Sequence, residues 1–422
     1  MRRALLPIAT LLPLLLATAP RLSAEQDVME RVEQFLSANA FDGAIRVRLS
    51  GLADVEDYQM ERPPPGLLYT GSDNLVNARL SLFLDADLGP NVYVFAQARV
   101  DRGFDPTDRY AQIRMDEYAL RITPWTDSRF SLQVGKFATV AGNWVQRHRS
   151  WDNPFITAPV PYENQTGVWD VAAPDSPDTL LFWAHVPNGG FSDFGDGYTD
   201  KTLRVPVVWG PSYASGVSVG GRIGKFDYAV ELKNASLSSR PDHWDVTNRN
   251  FADPTLTGRL GFRPNPMWNL GVSFSSGAYL LPEAKVTLPA GREIGDYQEQ
   301  VLAQDISFEW HHLQVWAEFY EARFEVPTVG NVSTLAYYLE TKYKITPQLF
   351  GALRWNQQIF DEITNTAGEQ VPWGNDLWRI DLALGYRFTA YTQLKLQYSF
   401  QHEENARRDI SSLFAAQFTV RF

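Results

Sequence analysis

Residues 75–101 read LVNARLSLFLDADLGPNVYVFAQARVD, with apolar and polar residues in alternation. Every second residue across 76–88 is apolar, and most of the residues between them are polar. After Gly89 and Pro90 the same alternation resumes across 92–100. Successive side chains of a β-strand point to opposite faces, so the pattern predicts a long hairpin with one apolar and one polar face.

The alternation recurs to the C-terminus, where the last segment has an apolar residue at every second position and ends on Phe422. We predict about 18 such strands, with about 16 as the alternative. They cover residues 44–55, 75–88, 91–102, 111–123, 129–140, 166–173, 178–187, 213–223, 226–237, 254–263, 268–279, 299–310, 313–325, 333–345, 348–361, 376–388, 391–402 and 410–422. Most contain about 10 residues or more, the length that crosses a bilayer at a tilt.

The connections between these strands alternate in length. Short turns such as 89–90 and 224–225 alternate with longer links such as 141–165 and 280–298. A sheet with an apolar outer face is stable in lipid only when it closes, because open edges leave unpaired backbone groups in hydrocarbon. The sequence therefore predicts an all-β fold, a transmembrane antiparallel up-and-down β-barrel with a short N-terminal helix.

Composition narrows the chemistry that the chain can carry. The 422 residues contain no cysteine and have a formal net charge of -11. Disulfides, thiolate metal sites and cysteine nucleophiles are therefore excluded, and an acidic chain is a poor match for nucleic acid. The sequence G-x-S-x-G at 216–220 is typical of serine hydrolases, but it continues a strand alternation instead of forming an elbow. We predict no catalytic, cofactor-binding or metal site and no enzyme.

The N-terminus is organised as an export signal followed by a helix. Residues 1–24 begin with two arginines, continue through an apolar run and end on Ala24, which predicts a cleaved signal peptide. Residues 25–42 place Val28, Val32 and Phe35 at helical spacing and predict a short periplasmic amphipathic helix, which either caps the barrel or contacts a partner. The barrel is predicted to occupy residues 43–422.

Taken together, the export signal, the alternating strands and the aromatic C-terminus resemble the bacterial outer-membrane porins. The resemblance implies a location in the Gram-negative outer membrane, among its lipids, and a channel through which small hydrophilic solutes or ions diffuse. It also implies that Phe418, Val420 and Phe422 are read by the barrel-assembly machinery. A homotrimer is one assembly that it allows. The alternative is a sheath around a periplasmic or lumenal partner protein, such as a multihaem cytochrome in transmembrane electron transfer.

The polar faces of the predicted strands would line the lumen, where basic residues outnumber acidic ones. We expect the lumen to be lined by Arg46, Arg48, Arg79, Arg99, Arg121, Arg129, Arg259, Arg354, Arg379 and Arg387. A basic lining favours anions, so a mild anion preference is expected, although pairing with carboxylates across strands would cancel it.

The link at 141–165 is the candidate pore constriction. By position it resembles the loop that folds inward in porins, and its aromatic residues favour an inward course, although a solvated extracellular loop remains open. It has charges of both signs, and the predicted constriction residues are Arg147, His148, Arg149, Asp152 and Glu163.

Overall fold

The computed structural model describes residues 22–61, 65–68, 70, 72–101, 111–185, 203–242, 251–404 and 410–422. The helices are α1 Leu22–Phe35, α2 Val160–Glu163 and α3 Pro177–His185, with 3-10 turns at Trp144–Arg147, Pro282–Val286 and Ile294–Asp296. The strands are β1 Ser37–Ala40, β2 Ile45–Met60, β3 Asn74–Leu88, β4 Val92–Asp101, β5 Gln112–Ile122, β6 Ser131–Phe137, β7 Gln165–Trp169, β8 Arg204–Pro206, β9 Ala214–Ile223, β10 Phe226–Lys233, β11 Thr255–Phe262, β12 Trp268–Ala278, β13 Gln298–Trp310, β14 Leu313–Val326, β15 Gly330–Lys344, β16 Leu349–Phe360, β17 Glu362–Thr364, β18 Gln370–Pro372, β19 Leu377–Arg387, β20 Thr392–Glu403 and β21 Ile410–Arg421.

Sixteen antiparallel strands, β2–β6, β9–β16 and β19–β21, form the barrel wall. The ring closes where the last strand pairs with the first, from Leu52 opposite Arg421 to Met60 opposite Leu413. This confirms the predicted β-barrel, with the alternative count of sixteen strands. Two further short pairs, β7 with β8 and β17 with β18, lie outside the ring.

Two predicted barrel strands are wrong, and both fall between β6 and β9. The prediction at 166–173 contains only the short β7, and the prediction at 178–187 is helix α3 for most of its length. This part of the chain packs on several sides instead of on one, so it lacks the alternation of a wall strand. Its apolar run at 180–184 is compatible with either a strand or a helix.

The outer face of the wall is apolar, as the alternation predicts. Leu260, Phe274, Leu339 and Leu382, from four different strands, are each about half exposed. Towards the short-turn end the outer face becomes aromatic, and Trp268 and Phe308 pack there with ring centroids 4.6 Å apart. An apolar belt with aromatic residues at its edge is the surface that a bilayer solvates.

The N-terminal residues differ in part from the prediction. Residues 1–21 of the predicted signal peptide lie outside the described residues, and its cleavage stays a prediction. Helix α1 ends at Phe35, and residues 37–40, predicted to be helical, instead form β1, which pairs with the start of β2. Phe35 is exposed, so the apolar side of the helix is not buried against the barrel. No helix among the residues that the structure covers is long and apolar enough to cross a membrane.

The seam of the barrel depends on a glycine. Gly51 and Phe422 exchange backbone hydrogen bonds of 2.8 and 3.0 Å, and the Phe422 ring lies over Gly51, where a Cβ atom would overlap it. We expect Gly51→Ala to displace the ring and to lower the temperature at which the folded barrel unfolds in heated detergent gels, because overpacking costs about 1–3 kcal/mol.

Gly258 provides the matched control for this prediction. It also lies on an outward position of a strand, but an added Cβ atom would meet only the Ala229 carbonyl oxygen, at 3.9 Å. Gly258→Ala should therefore unfold at the wild-type temperature. Equal behaviour of the two variants would show that the Phe422 ring does not stabilise the seam.

Candidate pore and inward segment

The described residues between β6 and β9, 138–185 and 203–213, fold into the barrel; we call them the inward segment. Its ends meet at the wall, where the Thr139 amide donates a 3.0 Å hydrogen bond to the Pro211 carbonyl oxygen. The described part of the segment is largely buried, and Val160, Tyr162 and Leu180 are 1% exposed or less. The segment therefore takes the inward course, and it is longer than the predicted 141–165 because no barrel strand interrupts it.

Backbone carbonyls of the segment hold cations from the wall. Lys395 on β20 donates hydrogen bonds of 2.7, 3.0 and 3.1 Å to the carbonyl oxygens of Ser150, Asn153 and Phe155. Arg354 on β16 and Arg379 on β19 both donate to the Ala158 carbonyl oxygen, at 3.1 and 2.6 Å. These buried cations satisfy backbone groups that have no secondary-structure partner, so they fix the segment against β16–β20.

A second anchor involves a buried carboxylate. Glu318 on β14 accepts hydrogen bonds from the amide of Asn143, from the amide of Trp144 at 2.7 Å and from the Tyr162 hydroxyl at 2.5 Å. Because three donors from the inward segment bind one carboxylate, Glu318 fixes both the position and the direction of the segment. The segment therefore lies along the β13–β20 half of the lumen.

Four of the five predicted constriction residues form two pairs with different positions. Arg147 pairs with Glu340, and Glu163 pairs with Arg379 at 2.5 Å, so both attach the segment to the wall. Arg149 and Asp152 are exposed and line a lumenal cavity, with Arg149 4.2 Å above the Phe83 ring.

His148, the remaining predicted constriction residue, is held as a neutral side chain. Its Nδ1 lies 2.5 Å from the Val145 carbonyl oxygen and its Nε2 lies 2.8 Å from the Tyr213 hydroxyl. Burial is the main reason that the pKa of His148 falls to about 3. A neutral imidazole that donates from Nδ1 and accepts at Nε2 satisfies both contacts.

The other half of the lumen contains a cavity of about 730 Å³. It lies between the inward segment and strands β3–β6 and β9–β11, and it extends to residues of the short turns such as Thr123 and Ser128. Arg121 and Arg259 line it together with Asp85 and Asp227. We call it the lower cavity.

A smaller cavity of about 120 Å³ lies towards the long-loop end and is called here the upper cavity. Arg79, Arg99 and Arg114, on β3, β4 and β5, line its wall side. His148 of the inward segment lines both cavities.

The predicted lumen arginines fall in five places. Arg79, Arg99, Arg121 and Arg259 line the cavities. Arg46 and Arg48 are exposed on the inward-directed face of β2 at the short-turn end. The remaining four do not line either cavity. Arg129 lies in the turn before β6 beside Asp127, and Arg387 packs on the Trp151 ring. Arg354 and Arg379 lie beneath the inward segment.

The prediction missed Arg114 because a β-bulge reverses the alternation of β5. Gln97 pairs with Glu117 but Ala98 pairs with Met115, so Asp116 is an extra residue on this strand. An extra residue moves every later side chain to the opposite face. The adjacent charges of Asp116 and Glu117 interrupt the alternation and are the sequence signal for it.

In the described residues, the G-x-S-x-G sequence does not form a hydrolase elbow, and no cluster of side chains is arranged as a metal site. Residues 216–220 lie within β9, where Ser218 pairs with Glu231 of β10 and with Gln133 of β6 in a regular register. A hydrolase elbow needs a strand, a sharp turn and a helix. No group of three or more His, Asp or Glu side chains in the described part of the chain is arranged to hold a metal ion.

The two halves of the lumen can be distinguished by chemical labelling. The native chain has no cysteine, so an introduced cysteine is its only thiol. We expect Asp152→Cys, in the lower cavity, to react with an aqueous methanethiosulfonate and to lose part of its conductance. Gln358→Cys is the matched control, because Gln358 faces the lumen but is completely buried. Equal reaction rates would show that the segment does not cover β16.

Comparisons with known proteins agree with this architecture. No protein-family model matches the chain, and no curated protein matches it. The solved structures similar to it include an anion-selective porin from Comamonas acidovorans, at 11% identity and a TM-score of 0.53 over 90% of this chain and 100% of that one. The outer membrane channel DcaP of Acinetobacter baumannii matches at 11% identity and 0.52, over 91% and 100%.

OmpT, an outer membrane protein of Vibrio cholerae solved in a trimer form, matches at 9% identity and a TM-score of 0.52, over 90% of this chain and 99% of that one. At such identities the similarity concerns the fold. The chain therefore has a porin-like β-barrel fold, and its apolar outer belt is that of a bacterial outer-membrane barrel.

Proposed function

We propose that the protein is an outer-membrane channel through which small hydrophilic solutes or ions diffuse. The observation that carries this proposal is the lower cavity of about 730 Å³, which lies beside the inward segment and extends to the short-turn end of the barrel. A barrel of this strand number is wide enough for an aqueous channel when its interior is not filled. The segment narrows the bore, and its hydrogen-bonded anchors at Lys395, Arg354 and Glu318 lie on β14–β20.

The alternative is a sheath around a partner protein, and the lumen argues against it. A partner needs a bore free of the chain's own residues, but the inward segment lies inside the barrel and is held by buried groups such as Arg354 and Glu318. The remaining cavity suits small solutes. We therefore favour the channel.

A mild anion preference is part of the proposal. In the upper cavity Arg79, Arg99 and Arg114 face the space, and three of their carboxylate partners, Asp54, Glu56 and Asp101, are not among the lining residues. A passing ion therefore meets the guanidinium groups before most of their counter-charges.

Assembly and targeting extend the proposal. The similar OmpT was solved in a trimer form, and this supports a homotrimer here, which the mass of the detergent-solubilised barrel would test. Phe418 and Val420 lie on the outer face of β21 and Phe422 directly follows this strand, and we propose that the barrel-assembly machinery reads these three residues. The amphipathic helix at the N-terminus is proposed to lie in the periplasm after cleavage of the signal peptide.

Liposome swelling tests the channel directly. Vesicles that contain the refolded barrel should swell in small sugars such as arabinose and progressively less in larger ones such as raffinose. The control is the same protein denatured by heat before reconstitution. A folded barrel that causes no swelling in any sugar would contradict an open channel, and equal swelling in all sugars would contradict a narrowed one.

A further inference from the structure

We infer that a group of basic side chains at the short-turn end of the lumen binds a small, doubly charged oxyanion such as phosphate. The group consists of Lys342, Lys344 and Arg387 and is called here the basic cluster. Lys342 and Lys344 lie at the end of β15, and Arg387 is the last residue of β19. The inference rests on the proposed channel function and names a class of solute that the lumen retains.

The basic cluster lies on the inner face of the wall. Its three residues are an even number of positions from Glu340 or Asp381, the buried inner-face residues of the same two strands. Successive side chains of a strand point to opposite faces, so residues an even number apart share a face. The three basic side chains therefore start from the lumenal side of β15 and β19.

Lys342 is a buried cation without an anionic partner. Its side chain is 8% exposed, and its ammonium nitrogen lies 4.4 Å from the centroid of the Phe350 ring. With the described residues this ammonium group forms neither a hydrogen bond nor an ion pair. A ring face replaces only part of the hydration that a buried charge loses, so the group is suited to an additional anionic partner.

Arg387 is held in place by neutral groups. Its Nε donates a 2.9 Å hydrogen bond to the Gln393 side-chain oxygen, and its Nη2 lies 3.4 Å from the Trp151 carbonyl oxygen. The guanidinium carbon lies 5.0 Å from the centroid of the Trp151 ring. These contacts fix the guanidinium without neutralising its charge, and Nη1 donates to none of the described residues.

The charges around the buried ammonium group are mainly basic. Arg387 and Lys344 have the largest electrostatic effects on it, and Glu340 follows. The Glu340 carboxylate is already paired with Arg147 and, at 3.5 Å, with Arg354. Because two cations hold this carboxylate, it does not serve as the counter-ion of the basic cluster.

Two exposed acidic residues, Asp152 and Glu309, lie near the basic cluster. Asp152 acts on Arg387, and Glu309 is separated from Lys342 by Gln314 in the register of β13–β15. Neither carboxylate forms an ion pair with the cluster in the described part of the chain. A lysine supplies a point charge and an arginine supplies paired donors, and both are common ligands of phosphate groups.

Binding of inorganic phosphate to the folded barrel tests the inference. Equilibrium dialysis of radiolabelled phosphate against the detergent-solubilised protein, in a chloride buffer that screens exposed charges, should show saturable binding. Sulfate has the same shape and two charges, so it should compete for the site. Acetate should compete at least about tenfold more weakly, since the loss of one charge-assisted hydrogen bond corresponds to about that factor.

Variants of two lysines locate the site. Lys342→Met should weaken phosphate binding at least about tenfold, and it should not lower the unfolding temperature in heated detergent gels, because it removes a buried charge that has no ion pair. Lys225→Met is the matched control: Lys225 is an exposed lysine of the turn between β9 and β10, at the same end of the barrel, and this variant should bind phosphate like the wild type. If Lys342→Met does not fold, Arg387→Gln should show the same tenfold loss.

The outcomes distinguish the site from the channel. A conducting barrel that shows no saturable phosphate binding, or that loses as much binding in Lys225→Met as in Lys342→Met, would overturn the inference and leave the channel standing. A barrel that binds phosphate through Lys342 but never conducts would support the site and overturn the proposed channel.

Discussion

Removal of the inward segment is expected to raise the single-channel conductance several-fold. The Thr139 amide and the Pro211 carbonyl oxygen are hydrogen-bonded at 3.0 Å, so a Gly-Ser-Gly linker in place of 141–209 can join β6 to β9 without strain. Without the segment, residues 141–209 no longer narrow the bore. A barrel of this strand number then leaves an aqueous channel. Conductance in planar bilayers measures the change.

A smaller deletion is the matched control. The Asp170 amide donates a 3.2 Å hydrogen bond to the Leu203 carbonyl oxygen, so replacement of 171–202 by a short turn also joins neighbouring positions. This variant keeps the anchors at Lys395, Arg354 and Glu318, and we expect its conductance to remain near the wild-type value. A folded variant without 141–209 that conducts like the wild type would show that the segment does not narrow the path.

Loss of Arg354 is expected to be the most destabilising single substitution in the lumen. Arg354 is fully buried, and its guanidinium donates at 2.8 Å to Asp381 and at 3.1 and 3.2 Å to the hydroxyl and carbonyl oxygens of Thr157. Removal of Arg354 leaves Asp381 with Arg379, at 3.1 Å, as its remaining cation and takes this donor from the buried Thr157 carbonyl oxygen, and an unsatisfied buried acceptor costs about 1–3 kcal/mol. Because the same group holds the segment, Arg354→Met should also increase current noise.

The measurements for this variant are the unfolding temperature in heated detergent gels and the variance of the open-channel current. Arg323→Met is the matched control, because Arg323 lies on β14 in the same half of the wall but is exposed, and among the described residues its side chain hydrogen-bonds to a neutral partner, Gln300. A variant at Arg354 that unfolds at the same temperature as the control would contradict the proposed anchoring of the segment.

The alternation of residues in the sequence predicts the wall because each wall strand has lipid on one side and the lumen on the other. Residues 75–88, for example, were predicted as a strand, and β3 occupies Asn74–Leu88. The alternation does not describe residues that are surrounded by protein, so helix α3 at Pro177–His185 was predicted to be a strand. The prediction of inward and outward side chains also fails at a bulge such as Asp116, because alternation holds only where every residue of a strand is paired.

The candidate site was predictable only in part. Alternation places Arg99 and Arg354 alike on the inner face of the wall, but Arg99 lines a cavity and Arg354 lies beneath the inward segment. Which half of the lumen the segment covers depends on contacts between residues far apart in the chain, such as Trp144 with Glu318. Spacing along the chain carries no information about such contacts.

Single-channel conductance of the refolded wild-type barrel, measured in a planar bilayer with a salt gradient across it, tests the central claim most directly. The account predicts discrete open steps, with a reversal potential displaced towards that of the anion. Correctly folded protein that inserts and remains silent would contradict an open path beside the inward segment.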